Sequence, residues 1–211
     1  MGVDLRSVKL IVYDCDGVLI DSRRANEAFY NHILGHFGLP PLRPSQLNLV
    51  QTAAAPEVIE ALFLGTDLTD KAQRYQASLS NDAFTPLIRP EPGARKALLE
   101  LHKVYRIALV TNRGKSLPGV LAALRLEALF DRVVSGLDVK QPKPHPEGLL
   151  IVLDHFSAGP RNVLYVGDSD ADGVMCRQAG VPFVAYKNEA LDAAYHVRNH
   201  RNLLRLLLPG K

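Results

Sequence analysis

Two aspartates one residue apart, Asp14 and Asp16, close the apolar run Leu10-Ile11-Val12-Tyr13, and Gly17 follows them. A short apolar run without alternation reads as a strand buried on both faces of a parallel sheet. In open α/β sheets, ligands bind just beyond the carboxyl ends of the strands. Two acidic side chains placed there, with a glycine where the chain must turn, suit a cation site, a nucleophile, or both. The competing structural use is a turn or helix cap, common for aspartate after a strand.

Three further apolar runs end in polar chemistry. Ile107–Val110 is followed by Thr111-Asn112-Arg113. Val133-Val134 leads, after a short loop, to Lys140-Gln141-Pro142-Lys143-Pro144. Asn162–Val166 ends in Gly167-Asp168-Ser169-Asp170-Ala171-Asp172. In a parallel sheet such ends line one edge, so residues distant in sequence converge. Clustered carboxylates repel one another unless a cation sits among them, and hard oxygen ligands favour Mg²⁺. A hydroxyl, backbone N–H groups and an ammonium suit phosphoryl oxygens. An aspartate held against Mg²⁺ can attack phosphorus. The set describes phosphoryl transfer. Within it, Asp170 is expected to cap the next helix. Cys15 lies between the two aspartates on the opposite side of the strand and is expected to be a small buried apolar group. The histidines show no metal-ligand spacing, and His32 and His36 form only an i, i+4 pair.

The elements that must position these residues follow a strand and helix rhythm. Helices are expected over 23–37, 56–64, 70–79, 94–103, 117–124, 147–156 and 171–179, and strands over 9–13, 107–110, 133–134, 162–166 and 182–186. Ser22 is a plausible N-cap for the first helix, and Asp21 with Ser22 turns the chain toward it. Alternation of this kind implies right-handed crossovers and a parallel sheet covered by helices. The all-helical stretch interrupts the rhythm after the first strand, and the proline-rich segment 84–93 reads as a linker or hinge. The expected fold is α/β: a Rossmann-like parallel sheet core over 1–21 and 85–211, with a small all-helical cap inserted over 22–84. The segment 48–55 carries few charges and is a candidate specificity loop in that cap. Leu203–Leu208 is expected to be a packed terminal helix.

Composition bounds the partners. The chain has 211 residues, 47% hydrophobic and 22% charged, with 25 basic against 22 acidic residues and a net charge of +3. That balance argues against nucleic acid or a membrane surface as partner. Two cysteines provide no disulfide framework. No apolar stretch approaches a membrane span, and the first six residues lack a signal-peptide pattern. The expectation is a cytoplasmic monomer or homodimer acting on a small phosphorylated metabolite.

The segment Val12–Ser22, Thr111, Lys143 with Pro144, and Gly167–Asp172 resemble, in order, the four motifs of the haloacid dehalogenase-like superfamily. The resemblance is closest to its phosphatases with a small helical cap, the subgroup of phosphoglycolate phosphatase and β-phosphoglucomutase. It spans nearly the whole chain. It implies a Mg²⁺-dependent phosphatase with an aspartyl-phosphate intermediate, in which Asp14 is the nucleophile and Asp16 carries protons to the leaving alcohol and from water. The metal is then held by the Asp14 carboxylate, the Asp16 backbone carbonyl and Asp168. Thr111, Lys143 and the Asn112 backbone N–H hold phosphoryl oxygens, and Asp172 orients Lys143 or approaches the metal through water. Arg113 is a possible substrate contact. Asp16 separates the chain from the dehalogenases, which lack that acid, and from the phosphonate-cleaving relatives, which carry alanine there and need a cap lysine. A sugar-phosphate mutase shares every core motif and remains an alternative. A non-catalytic phosphate-binding relative is opposed by the intact pair Asp14 and Asp16.

Overall fold

The computed structural model describes residues 4–80 and 83–208. Met1–Val3, part of the segment read for a signal peptide, and residues 81–82, inside the expected helical insert, lie outside the described residues. The sheet that carries the motifs has six strands: β1 (Leu10–Tyr13), β4 (Arg106–Val110), β5 (Arg132–Val134), β6 (Val163–Gly167), β7 (Phe183–Tyr186) and β8 (Tyr195–Val197). Their order is β5-β4-β1-β6-β7-β8. Every pairing is parallel. A second, two-stranded sheet pairs β2 (Ile20–Asp21) with β3 (Arg89–Pro90).

The chain builds outward from β1 first through β4 and β5, then returns to the other side of β1 through β6, β7 and β8. β1 is therefore the point where the winding reverses, and its carboxyl end opens the crevice where such sheets bind ligands. Register makes this concrete: Tyr13 lies opposite Leu109 on one side and Val166 on the other. Asp14, Val110 and Gly167 thus come next at one level.

All four residues of β1 are buried, as expected for a strand covered on both faces. Leu10 and Val12 pack in one cluster with Val152, Tyr165, Met175 and Cys176. These come from β6 and from the helices α7 (Glu147–His155) and α8 (Asp170–Ala179). Ile11 and Tyr13, on alternate positions, face the other side. There α5 (Ala94–Leu101) packs on α9 (His200–Leu207). The remaining helix of this layer system, α6 (Leu117–Leu124), has the bounds expected from sequence.

By internal contacts the chain divides into two compact units, Met1–Ile20 with Pro90–Lys211, and Asp21–Arg89. The second unit is helical: α1 (Arg23–His36), α2 (Leu47–Thr52), α3 (Ala55–Leu62) and α4 (Thr69–Ser78). It has its own core around Phe29, Ile33, Val58, Ile59 and Phe63. His32 and His36 both meet Tyr75 of α4, His32 Nε2 at 3.1 Å from the hydroxyl and His36 stacked at 3.8 Å between ring centres. Their i, i+4 spacing serves packing within this unit.

Three expectations need correction. Residues 48–55, read as a loop, are largely helix α2; Val50 is buried in the second unit's core, and that burial overrides weak local propensity. β8 was not expected, because an edge strand of three residues with a polar centre has no periodic signal. The cap of α8 is Ser169, with Asp170 in the first turn. Ser169 accepts from the Asp172 N–H, and Asp172 reaches back to the Ser169 N–H, so two otherwise orphaned donors are satisfied together.

Candidate active site

The six-stranded unit brings Asp14, Asp168, Asp172 and Lys143 together at the carboxyl ends of β1, β4 and β6. Asp14 is fixed by its backbone N–H, which donates to the Val166 carbonyl at 2.9 Å and continues the β1–β6 ladder for one more residue. Its side chain receives the Lys143 ammonium at 2.7 Å, with both groups more than nine-tenths buried. Lys143 also meets Asp172 at 2.8 Å, and Asp172 is fully buried. Asp14, Asp168 and Asp172 each present a carboxylate oxygen within 4.8 Å of the others.

Burial without full pairing is costly for charge. One ammonium pairs with two of three clustered carboxylates, and the consequence differs at each. Burial drives the Asp14 carboxyl well above the usual carboxylate range, against the pull of Lys143. Burial and the neighbouring Asp172 charge push Asp168 up to about 7. Asp172 is also fully buried, but Lys143 and the hydroxyls of Ser169 and Tyr165 hold its carboxyl below the usual range. The lysine itself would be lowered by burial, yet Asp14 and Asp172 raise it, and it stays protonated.

Lys143 is set by Asn112, whose side-chain amide donates to the Lys143 carbonyl at 3.0 Å and accepts from its N–H at 2.8 Å. This two-way clamp ties the loop after β5 to the end of β4. Tyr165 contributes from within β6: its hydroxyl lies 2.9 Å from Asp172 Oδ1 and 3.1 Å from the Val110 carbonyl, and it accepts from Lys143 at 3.2 Å. Neither the Asn112 side-chain role nor Tyr165 was expected. A tyrosine inside an apolar strand run carries no outward sign that its hydroxyl is used. Lys140 is not part of the cluster; its N–H is held by Glu147 at 3.0 Å.

Thr111 is buried, its N–H donating to the Val134 carbonyl at 3.0 Å and its hydroxyl accepting from the Arg113 N–H at 3.2 Å. The Asp16 carboxylate does not join the acidic cluster. Arg113 grips it through Nε at 3.0 Å and Nη2 at 2.5 Å, while Nη1 donates to Ser116 at 2.9 Å. The Arg113 guanidinium, considered for substrate contact, is engaged with Asp16 and Ser116. Cys15 is fully buried, and burial together with the Asp16 charge raises its thiol far from the reactive range.

The residues around the cluster fit a small hard cation. Lys143 pairs with Asp14 and Asp172, and Asp168 brings a third carboxylate beside them, an arrangement that a divalent ion with oxygen ligands completes. Close approach of the chain to these carboxylates depends on glycine. Gly17 has φ +77°, and a Cβ there would overlap the Asp168 carboxylate. At Gly167 a Cβ would lie 2.6 Å from Asp172 Cγ. Within the second unit, Arg23, Arg24 and Arg89 line a cavity of about 480 Å³ with Asp21 and Leu87, and Arg23 pairs with Asp21 at 2.6 Å.

The chain is similar to several known hydrolases. A crystal structure of a HAD-superfamily hydrolase from Geobacter sulfurreducens is 40% identical, with a TM-score of 0.78 over 95% of this chain and 97% of that one. A phosphoglycolate phosphatase of Haemophilus influenzae is 31% identical over 189 residues, 83% of this chain and 84% of the relative. A phosphorylated carbohydrates phosphatase of Thermotoga maritima is 29% identical over 180 residues, 82% of each protein. The family model for haloacid dehalogenase-like hydrolases matches residues 11–186, a span that contains every residue of the acidic cluster and its lysine. This chain belongs to the haloacid dehalogenase-like hydrolase family.

Proposed function

We propose that Asp14 is the nucleophile, and Asp16 the proton carrier, of a phosphoric monoester hydrolase acting on small phosphorylated metabolites. The observation that carries this reading is the Asp14 side chain, nine-tenths buried at the end of the central strand with Lys143 at 2.7 Å. Lys143 offsets part of the cost of an ionised carboxylate there, a bound cation would offset more, and an ionised carboxylate is what can attack phosphorus. In the first step an Asp14 oxygen bonds to phosphorus, the bond from phosphorus to the substrate oxygen breaks, and Asp16 gives that oxygen a proton. In the second, Asp16 takes a proton from water, whose oxygen attacks phosphorus and releases Asp14 and phosphate. Thr111, the Asn112 backbone N–H and Lys143 hold phosphoryl oxygens, and Asp172 orients Lys143 through the 2.8 Å ion pair.

Mg²⁺ is the cation proposed for the cluster, held by Asp14, Asp168 and the Asp16 backbone carbonyl. When bound, it supplies positive charge that offsets the negative charge of the phosphoryl group. The helical unit Asp21–Arg89 is proposed as the cap that selects the substrate, in place of the 22–84 boundaries read from sequence. No helix among the described residues is long and apolar enough to cross a membrane. The proposed setting is the cytoplasm, with the protein a monomer or homodimer.

The test is turnover of a panel of small phosphomonoesters with Mg²⁺. The expected result is clear selectivity among them and loss of phosphate release in Asp14→Asn. A flat response across the panel, with Asp14→Asn equal to the parent, would sink the reading.

A further inference from the structure

On the face of the sheet opposite the acidic cluster lies a second group of buried polar side chains, and it contacts the turn that follows Asp16. The turn closes on itself through Gly17 N–H to the Ile20 carbonyl at 2.7 Å and Leu19 N–H to the Cys15 carbonyl at 2.8 Å. Two of its carbonyls point away from that ring and are taken from outside. The Leu19 carbonyl accepts the Glu91 N–H at 2.9 Å. The Val18 carbonyl lies 2.8 Å from Nε2 of His200, a residue 182 positions away.

His200 is 1% exposed. A carbonyl can only accept, so Nε2 carries the proton, and Nδ1 of the neutral ring is then a bare acceptor. Nδ1 and the hydroxyl of Tyr13 are buried with no hydrogen-bond partner among the described residues. Burial lowers the proton affinity of the ring, against the pull of Glu91, so the neutral ring is the resting form. The charged neighbours are balanced: Glu91 pairs with Lys187 at 2.6 Å, and Tyr186 lies over His200 with ring centres 4.9 Å apart. The helix that delivers His200 is anchored at both ends. Asn199 caps its start by accepting the Asn202 N–H at 2.9 Å, and Tyr105 donates to the Leu207 carbonyl at 2.8 Å.

We propose that His200, the first residue of α9, is a positioning residue that holds the Gly17–Ile20 turn through its Nε2–H to the Val18 carbonyl and thereby sets Asp16. This rests on Asp16 being the proton carrier. The turn is one covalent bond from Asp16; its other backbone ties run to Cys15, to Glu91 and, through β2, to β3. Without His200 the Val18 carbonyl is buried with no partner, and the turn must shift to satisfy it.

The experiment separates His200→Gln, which places a side-chain N–H where Nε2 lies, from His200→Asn, whose amide falls short of Val18. Each is assayed with p-nitrophenyl phosphate, whose leaving group departs without a proton, and with the best alkyl phosphomonoester of the panel, which needs one. We expect His200→Asn to lose about tenfold in kcat/KM, which reports the first step alone, on the alkyl substrate and much less on the aryl one, and His200→Gln to keep the parent ratio; full removal of a general acid costs about 10²–10⁴. Equal loss in kcat/KM on both substrates, or Gln and Asn behaving alike, would overturn the proposal. In the parent protein, ¹⁵N NMR must show His200 protonated on Nε2, and a proton on Nδ1 alone overturns it independently of any variant. Asp16→Asn is the control. If its kcat/KM shows no dependence on the leaving group, the proton-carrier reading fails; if it does and that of His200→Asn does not, only the positioning role fails.

Discussion

Tyr13 and Asp14 are neighbours on one strand end, yet they open onto polar groups of opposite character. Asp14 joins Asp168, Asp172 and Lys143, where carboxylates exceed ammonium and two of the three carboxyls are driven upward. Tyr13 lies beside His200, which Tyr186 covers next to the Glu91–Lys187 pair; there the one ion pair is balanced and the histidine is neutral. Strand alternation alone puts them on opposite faces. The difference teaches how to tell a reactive cluster from a supporting one at equal burial. The first has an excess of negative charge that a cation resolves; the second is balanced without a ligand.

The comparison breaks first at the carboxylates. Asp14→Asn should cost on the order of 10⁴-fold or more in kcat, whereas Glu91→Gln should stay within about tenfold; similar losses for the two would remove the distinction. The lysines come next. Lys143→Met leaves buried carboxylates uncompensated and should cost about 3–5 kcal/mol in urea unfolding. Lys187→Met, at a side chain 45% exposed, should cost under about 1 kcal/mol.

The two faces should also respond to pH with opposite signs. In metal-free protein the Asp168 carboxyl, at about 7, binds a proton that the unfolded chain, near 4, does not. Its contribution to stability is therefore present at low pH and lost as pH rises from about 4 to about 7. His200, lowered by burial, contributes in the other direction: stability is present above its unfolded value of about 6.5 and is lost as pH falls below it. Thermal melts in chelator should show Asp168→Asn flattening the first slope, and His200→Gln the second. Added Mg²⁺ should restore stability above about pH 7.

The smallest contrast lies in two tyrosine hydroxyls. Tyr165→Phe removes a hydroxyl bonded to Asp172 and Val110 and should cost about 1–3 kcal/mol. Tyr13→Phe removes one with no partner among the described residues and should be neutral or stabilising. Denaturant midpoints of the two variants decide it.

What was legible in the sequence follows the same division. The apolar runs and the polar residues ending them mark the parallel sheet and place Asp14, Thr111, Lys143 and Asp168 at one edge, because strand ends are local signals. The supporting contacts are not local. His200 meets a carbonyl 182 positions away, and Glu91 meets Lys187 96 positions away, so no spacing announces either. Tyr165 reads as one more apolar strand residue, and Asn112 as a backbone donor, because side-chain direction is set only when the strands pair. At α8 the choice between Ser169 and Asp170 as cap is a one-residue boundary, where local preference is weakest.

The central claim is that Asp14, and no other carboxylate, becomes phosphorylated. Rapid quench of turnover with Mg²⁺ and an active phosphomonoester, followed by borohydride reduction and peptide mass spectrometry, reads it directly. The account predicts reduction of an acyl-phosphate at position 14, giving homoserine there in proportion to the pre-steady-state burst. Modification at Asp16 or Asp168, or phosphate release with no modified carboxylate at any quench time, would contradict it.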